Sequence, residues 1–127
     1  MEAYGKSKIA TLLFTAELDR RLRKAGFAAK AVAAHPGYSN TNPGKGGFFM
    51  RLATSIVAQP AAMGALPQLY AATAPDVVGG DYYGPGGLAE MRGYPAKVDC
   101  TPAAKDQAMA ARLWDLSEKL TGVSFLE

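Results

Sequence analysis

The sequence is poor in several features that would announce a function. It has one cysteine, Cys100, in 127 residues. An intrachain disulfide is thereby excluded, and a reducing, cytoplasmic setting is expected. Nothing beside Cys100 marks an activated thiolate, so it reads as an ordinary buried or half-buried thiol. The one histidine, His35, has no carboxylate or cysteine partner at ligand spacing, which argues against a metal. It reads as a packing or hydrogen-bonding residue. No apolar run approaches ~18 residues, so no membrane span is expected. No signal peptide is expected ahead of the first motif. Neither sign of charge is in large excess: 14 basic minus 11 acidic residues leaves +3. The one dense cationic cluster is Arg20, Arg21, Arg23 and Lys24, near a predicted helix C-terminus, where cations complement the macrodipole. With no aromatics interleaved it reads as a solvated face, and nucleic acid is not an expected partner. No internal repeat or low-complexity tract is visible.

What is present is an ordinary globular composition, 49% hydrophobic, in a length that suits one domain or part of one. Ile9, Leu12, Leu13, Ala16 and Leu18 recur at helical spacing, which predicts a helix over 3–24 with Gly26 just beyond its end. "FAAKAVAA", 27–34, is short, apolar and bounded by Gly26 and Pro36-Gly37, the mark of a buried parallel strand. "PGYSNTNPGKGG", 36–47, is a loop. A short helix is expected over 48–58 and a longer one over 60–74, with Pro60 at its first position, Pro67 inside it, and Met63, Leu66, Leu69 and Tyr70 as its stripe. "VVGGDYY", 77–83, predicts a second strand ending at Gly84-Pro85, followed by a Gly/Pro-rich stretch to about residue 100. Thr101 and Pro102 are placed as N-cap and N1 of a last helix to about Leu120, with Ala108, Ala111, Leu113, Trp114 and Leu116 inward. The alternation is α/β, with about two strands and three to four helices. Two strands do not make a stable open sheet, so either the strand count is low or the chain belongs to a larger one.

The chemistry is concentrated in two places. "YGKSK" puts Tyr4 and Lys8 on one face of a helix, one turn apart. A cation held near a phenol favours its ionised form, which brings a tyrosine toward general acid/base duty. The pair alone is weak, since this spacing arises by chance in many helices. The second place is "HPGYSNT", at the carboxyl end of the first predicted strand, where open α/β sheets bind ligands. Pro36-Gly37 turns the chain, the bare backbone at Gly37 admits a flat ring, and Thr41 offers a hydroxyl.

Together, Y-x-x-x-K at Tyr4 and Lys8 and P-G-x-x-x-T at Pro36, Gly37 and Thr41 resemble the short-chain dehydrogenase/reductase family. "AAMGALPQLYAAT", "GGDYYGPGG" and "ARLWDLSEKLTG" extend the resemblance across essentially all 127 residues, in particular to the retinol dehydrogenase and protochlorophyllide reductase-like branch. The resemblance implies the C-terminal portion of a Rossmann-like doubly wound sheet and a single partial domain over 1–127. It implies an oxidoreductase exchanging hydride between NAD or NADP and an alcohol or carbonyl substrate. Tyr4 would be the general acid/base. Lys8 would lower its pKa and hold the nicotinamide ribose. Pro36 and Gly37 would bound the nicotinamide pocket, and Thr41 would contact the carboxamide or pyrophosphate. Phe48, Phe49 and Met50 are either core or a lid over a lipophilic substrate. Similar enzymes dimerise through the tyrosine-bearing helix, so a homo-oligomer is expected. The family's glycine-rich dinucleotide loop and its upstream serine are not found, and "PGKGG" lacks the required spacing. The chain therefore reads as the C-terminal half of a reductase, inactive by itself. The alternatives are a non-catalytic dimerisation or interaction module and, less suited to this length, the sugar-epimerase branch that shares the same pair.

Overall fold

A computed structural model describes residues 2–37 and 59–126. Helix α1, Glu2–Lys24, confirms the predicted first helix. Strand β1 is Ala33–Ala34, α2 is Ala61–Thr73, β2 is Tyr82–Pro85, β3 is Pro95–Lys97 and α3 is Gln107–Thr121. The strands form an open sheet in the order β1-β2-β3. Donors Ala33 and His35 reach the carbonyls of Asp81 and Tyr83, an advance in the same direction that makes β1 and β2 parallel, while β2 and β3 are antiparallel. The α/β class is as expected. Among the described residues the strand count is three, and the strand missed from sequence is β3.

Proline hid β3, because a residue without an N–H argues against a strand. The register explains its tolerance. Pro85 stands opposite Pro95, and the next pair outward carries the ladder bond from Gly86 N–H to the Tyr94 carbonyl. Bonded and non-bonded pairs alternate in an antiparallel ladder, so both prolines occupy the pair that needs no donor. The other strands are shorter or later than expected. Only two residues of 27–34 are strand, and Phe27 is 57% exposed; an alanine-rich segment offers little to a pleated surface. In 77–83 the chain first turns at Gly79-Gly80, with Gly80 at φ +84°, which delays β2 to Tyr82.

The described residues fall into two compact units, 1–33 with 78–82 and 99–127, and 34–77 with 83–98. In the first, α1 packs on α3 and on the short 3-10 turn Pro102–Lys105. Leu13, Ala104, Ala110 and Trp114 are buried there. Phe14 stacks on Trp114 at 5.1 Å between centroids. Thr101 and Pro102 open the 3-10 turn and not α3, and Thr101 makes no capping bond. Asp106 caps α3 instead, its carboxylate accepting the Met109 N–H at 3.0 Å. A carboxylate near the donor end of a helix is the better cap because it also meets the macrodipole. The inward face of α3 is Ala110 and Trp114, whereas Leu116 is 51% exposed and Ala108 is exposed, against expectation.

In the second unit, α2 packs on β3. Pro60 is its N-cap, one position earlier than expected. Its buried residues are Gly64 and Pro67, while Leu69 is 57% exposed. Gln59, Val77, Tyr83, Gly84 and Pro85 are also buried there, with Tyr70 tilted against Tyr83 at 5.4 Å.

Candidate active site

Helix α1 brings Tyr4 and Lys8 together as their spacing requires. The Lys8 ammonium lies over the Tyr4 ring, 5.2 Å from its centroid, and the ring is 69% exposed. A cation over an exposed aromatic face contributes about 0.5–1 kcal/mol, enough to bias two rotamers and little enough to let them rearrange. Ser7 donates to the Tyr4 carbonyl at 2.7 Å, so that hydroxyl is engaged within the helix. A phenol and an ammonium on one exposed turn can give or take a proton and can donate hydrogen bonds to a vicinal diol.

What holds α1 in place was not visible as a site in the sequence. Glu17 and Asp19 are 2% and 0% exposed. Arg20 grips Glu17 through Nε at 2.7 Å and Nη2 at 2.6 Å, and Arg21 Nε adds a third bond at 2.8 Å. The Arg20 hydrogen bonds chiefly, then Arg21, hold the Glu17 carboxyl below the usual glutamate value against the opposing effect of burial. Arg23 Nε meets Asp19 Oδ2 at 2.8 Å, and Asp19 Oδ1 accepts the Ala31 N–H at 3.2 Å. Gly79 packs on that carboxylate so closely that a Cβ would overlap it. The cationic cluster expected to be a solvated face is therefore largely partnered by buried carboxylates of its own helix. The i,i+3 and i,i+4 spacings were legible; the burial that makes them matter was not. Arg21 also lies over Trp114 at 4.7 Å, whose indole donates to Glu118 at 2.9 Å.

Pro36 and Gly37 belong to the second unit, where they form a bend with Gly37 at φ +65°. Glycine is needed there twice over. The angle disfavours L side chains, and a Cβ would lie 2.6 Å from the Met91 carbonyl oxygen and from Pro85 Cγ. His35 Nδ1 accepts the Gly37 N–H at 3.2 Å, and Nε2 lies 3.2 Å from Glu90 Oε2. The packing or hydrogen-bonding reading of His35 holds. Gln59, 3% exposed, donates to the Pro36 carbonyl at 2.9 Å; sequence reasoning passed over it, and no spacing signal marked it. Thr41, the helix expected over 48–58 and the "PGKGG" loop lie outside the described residues. Among the described residues no His, Cys, Asp and Glu cluster could hold a metal, and no helix is long and apolar enough to cross a membrane.

No protein-family model matches the chain. Curated relatives do. Retinol dehydrogenase 14 of Mus musculus is 33% identical over 134 residues, 94% of this chain and 35% of the relative. Retinol dehydrogenase 13 of Homo sapiens is 33% identical over 95% of this chain and 37% of the relative. A chloroplastic short-chain dehydrogenase, TIC 32 B of Brassica napus, is 32% identical over 94% of this chain and 36% of the relative. The chain thus spans about a third of the length of the curated relatives it matches. A crystal structure of an uncharacterized protein from Mycobacterium Paratuberculosis superposes with a TM-score of 0.72 at 42% identity, over 97% of this chain and 40% of that one. The open mixed sheet is accordingly part of a Rossmann-like α/β fold.

Proposed function

We propose that this chain, homologous to the retinol dehydrogenase-like branch of the short-chain dehydrogenase/reductases, carries the proton-transfer group of an oxidoreductase. The reaction exchanges a hydride between NAD or NADP and an alcohol/carbonyl pair, with a lipophilic substrate in keeping with the names of the relatives. The observation that carries this reading is the Lys8 ammonium over the exposed Tyr4 ring on one helical turn.

The donor set fits the nicotinamide-ribose end of such a cofactor. Lys8 has three N–H donors for a ribose diol, and the phenol beside it is exposed to a reacting oxygen. The cofactor, when bound, supplies or accepts the hydride. Tyr4 gives its hydroxyl proton to the carbonyl oxygen in reduction and takes it back from the alcohol in oxidation, and Lys8 supplies the positive charge that the phenolate form requires. Pro36 and Gly37 would bound the nicotinamide, and Thr41, outside the described residues, would contact its carboxamide or the pyrophosphate. These residues serve one end of the dinucleotide only, so we place the phosphate-binding loop outside these 127 residues. The setting is reducing and cytoplasmic.

In a protein that contains this chain and turns over retinol with NAD or NADP, Tyr4→Phe should lower kcat by about 10²–10⁴-fold, the usual worth of a positioned general acid/base. Retained turnover would refute the assignment. The isolated chain should show no tight binding in NADH and NADPH titrations, and tight binding would move the phosphate site into these residues. A second reading, an interaction module that pairs with another copy, is favoured by the apolar stripe on α3: Met109, Leu116 and Leu120 are 48%, 51% and 76% exposed. Sedimentation of the chain as a monomer at all concentrations would remove it.

A further inference from the structure

We propose that Gln59 is the positioning residue of the Pro36-Gly37 bend, so that a buried amide outside both motifs sets where that wall stands. The functional value of the wall rests on the cofactor reading above; the clasp itself does not. Gln59 is 3% exposed, and a buried primary amide needs partners at both ends. It has them, and both are backbone. Nε2 donates to the Pro36 carbonyl at 2.9 Å, and Oε1 accepts the Gly93 N–H at 3.1 Å. The orientation of the amide is unique, since the reverse would face oxygen with oxygen and N–H with N–H.

The bend is held from its other side as well. The Gly37 N–H goes to His35 Nδ1 at 3.2 Å, and Gly37 is packed against Pro85 and the Glu90 and Met91 carbonyls. The segment that presents those carbonyls is itself unusual: Ala89 and Glu90 have φ +50° and +55°. Side-chain-bearing residues stay in that region only where their surroundings impose it, and such residues concentrate at functional sites. The Glu90 carboxylate lies 3.2 Å from His35 Nε2, without hydrogen-bond geometry. The carbonyl of Pro36 and the amide of Gly37 are thus both committed to side chains. Gln59 links the bend by hydrogen bonds to the Gly93 turn.

The test is amide-resolved NMR of the full chain, with reduced nicotinamide mononucleotide as the probe for the ribose end. Gln59→Met removes both hydrogen bonds at similar volume. It should speed Gly93 amide exchange about tenfold, the effect of losing roughly one net hydrogen bond, and move the Gly37 resonance. Gln59→Glu keeps an acceptor for Gly93 and loses the donor to Pro36. It should restore slow Gly93 exchange while leaving Gly37 displaced, and it carries the test if the methionine variant does not fold. Unchanged Gly93 exchange and an unmoved Gly37 in both variants would overturn the clasp. Where the mononucleotide binds the unaltered chain, Gln59→Met should weaken it about tenfold; equal affinity would overturn the positioning role. Failure of the probe to bind the unaltered chain counts against the cofactor reading alone, and the two amides still decide the clasp.

Discussion

At the head of α1, Tyr4 is 69% exposed with an ammonium over its ring. Toward the other end, the same helix buries Glu17 and Asp19 to 2% and 0% exposure and closes arginines over them. Both ends use the same device, a cation three or four residues from its partner. At the head the pair sits in water, where attraction is weak and both groups can reach another molecule. At the tail the carboxylates have left water, which is costly unless every lone pair finds a partner. Arg20 and Arg21 supply them to Glu17; Asp19 has the Ala31 amide on Oδ1 and, on Oδ2, the Arg23 cation as an ion pair without hydrogen-bond geometry. The same spacing therefore yields a reactive pair at one end and an anchor at the other, and burial makes the difference.

The comparison is most directly broken at Glu17. Glu17→Ala should destabilise the chain by about 2–4 kcal/mol in chemical denaturation. That is below the full cost of a wholly buried pair, because the Arg20 side chain is 47% exposed. The pH dependence follows from the same contact. The folded value of Glu17 lies below the ordinary one. Its contribution is therefore fully present above the unfolded glutamate value of about 4.3 and is lost as pH falls from there through the lower folded value. Glu17→Gln should flatten the acid side of the stability curve below about pH 4.3, and an unchanged slope would show that Glu17 is not the group titrating. Gly79→Ala, which pushes a methyl into the Asp19 carboxylate, should cost about 1–3 kcal/mol. Combined with Asp19→Ala the loss should be less than the sum, and additivity would mean the two do not touch. At the head, Tyr4→Phe and Lys8→Met should each change stability by no more than about 1 kcal/mol, the most an exposed cation–aromatic contact contributes. A loss of several kcal/mol there would make the head an anchor too and erase the contrast.

How much could be read in advance depended on how local the determinant was. Helix α1, the positive-φ glycine after it and the left-handed cap at Gly122 were legible because a few neighbouring residues settle them. The Tyr4–Lys8 contact was legible for the same reason. The third strand was not, because Pro85 and Pro95 argue against a strand until their register is known. Leu69 and Leu116 were expected inside and are exposed. A periodic stripe names a helix face, but which face is covered depends on what packs there. Trp114 was expected as a core anchor and is one, 3% exposed.

By itself the sequence determined the helical spacing that joins Tyr4 to Lys8, the turn at Pro36-Gly37 and the α/β order of the elements, since each follows from backbone sterics and side-chain period over short range. Only the tertiary structure decided that Glu17 and Asp19 are buried, that Gln59 ties the Pro36 carbonyl to the Gly93 amide, and that Gly37 lies against the backbone of Glu90 and Met91. Those are relations between segments far apart along the chain. Burial and hydrogen-bond satisfaction belong to the packed molecule, and no local pattern of residues encodes them.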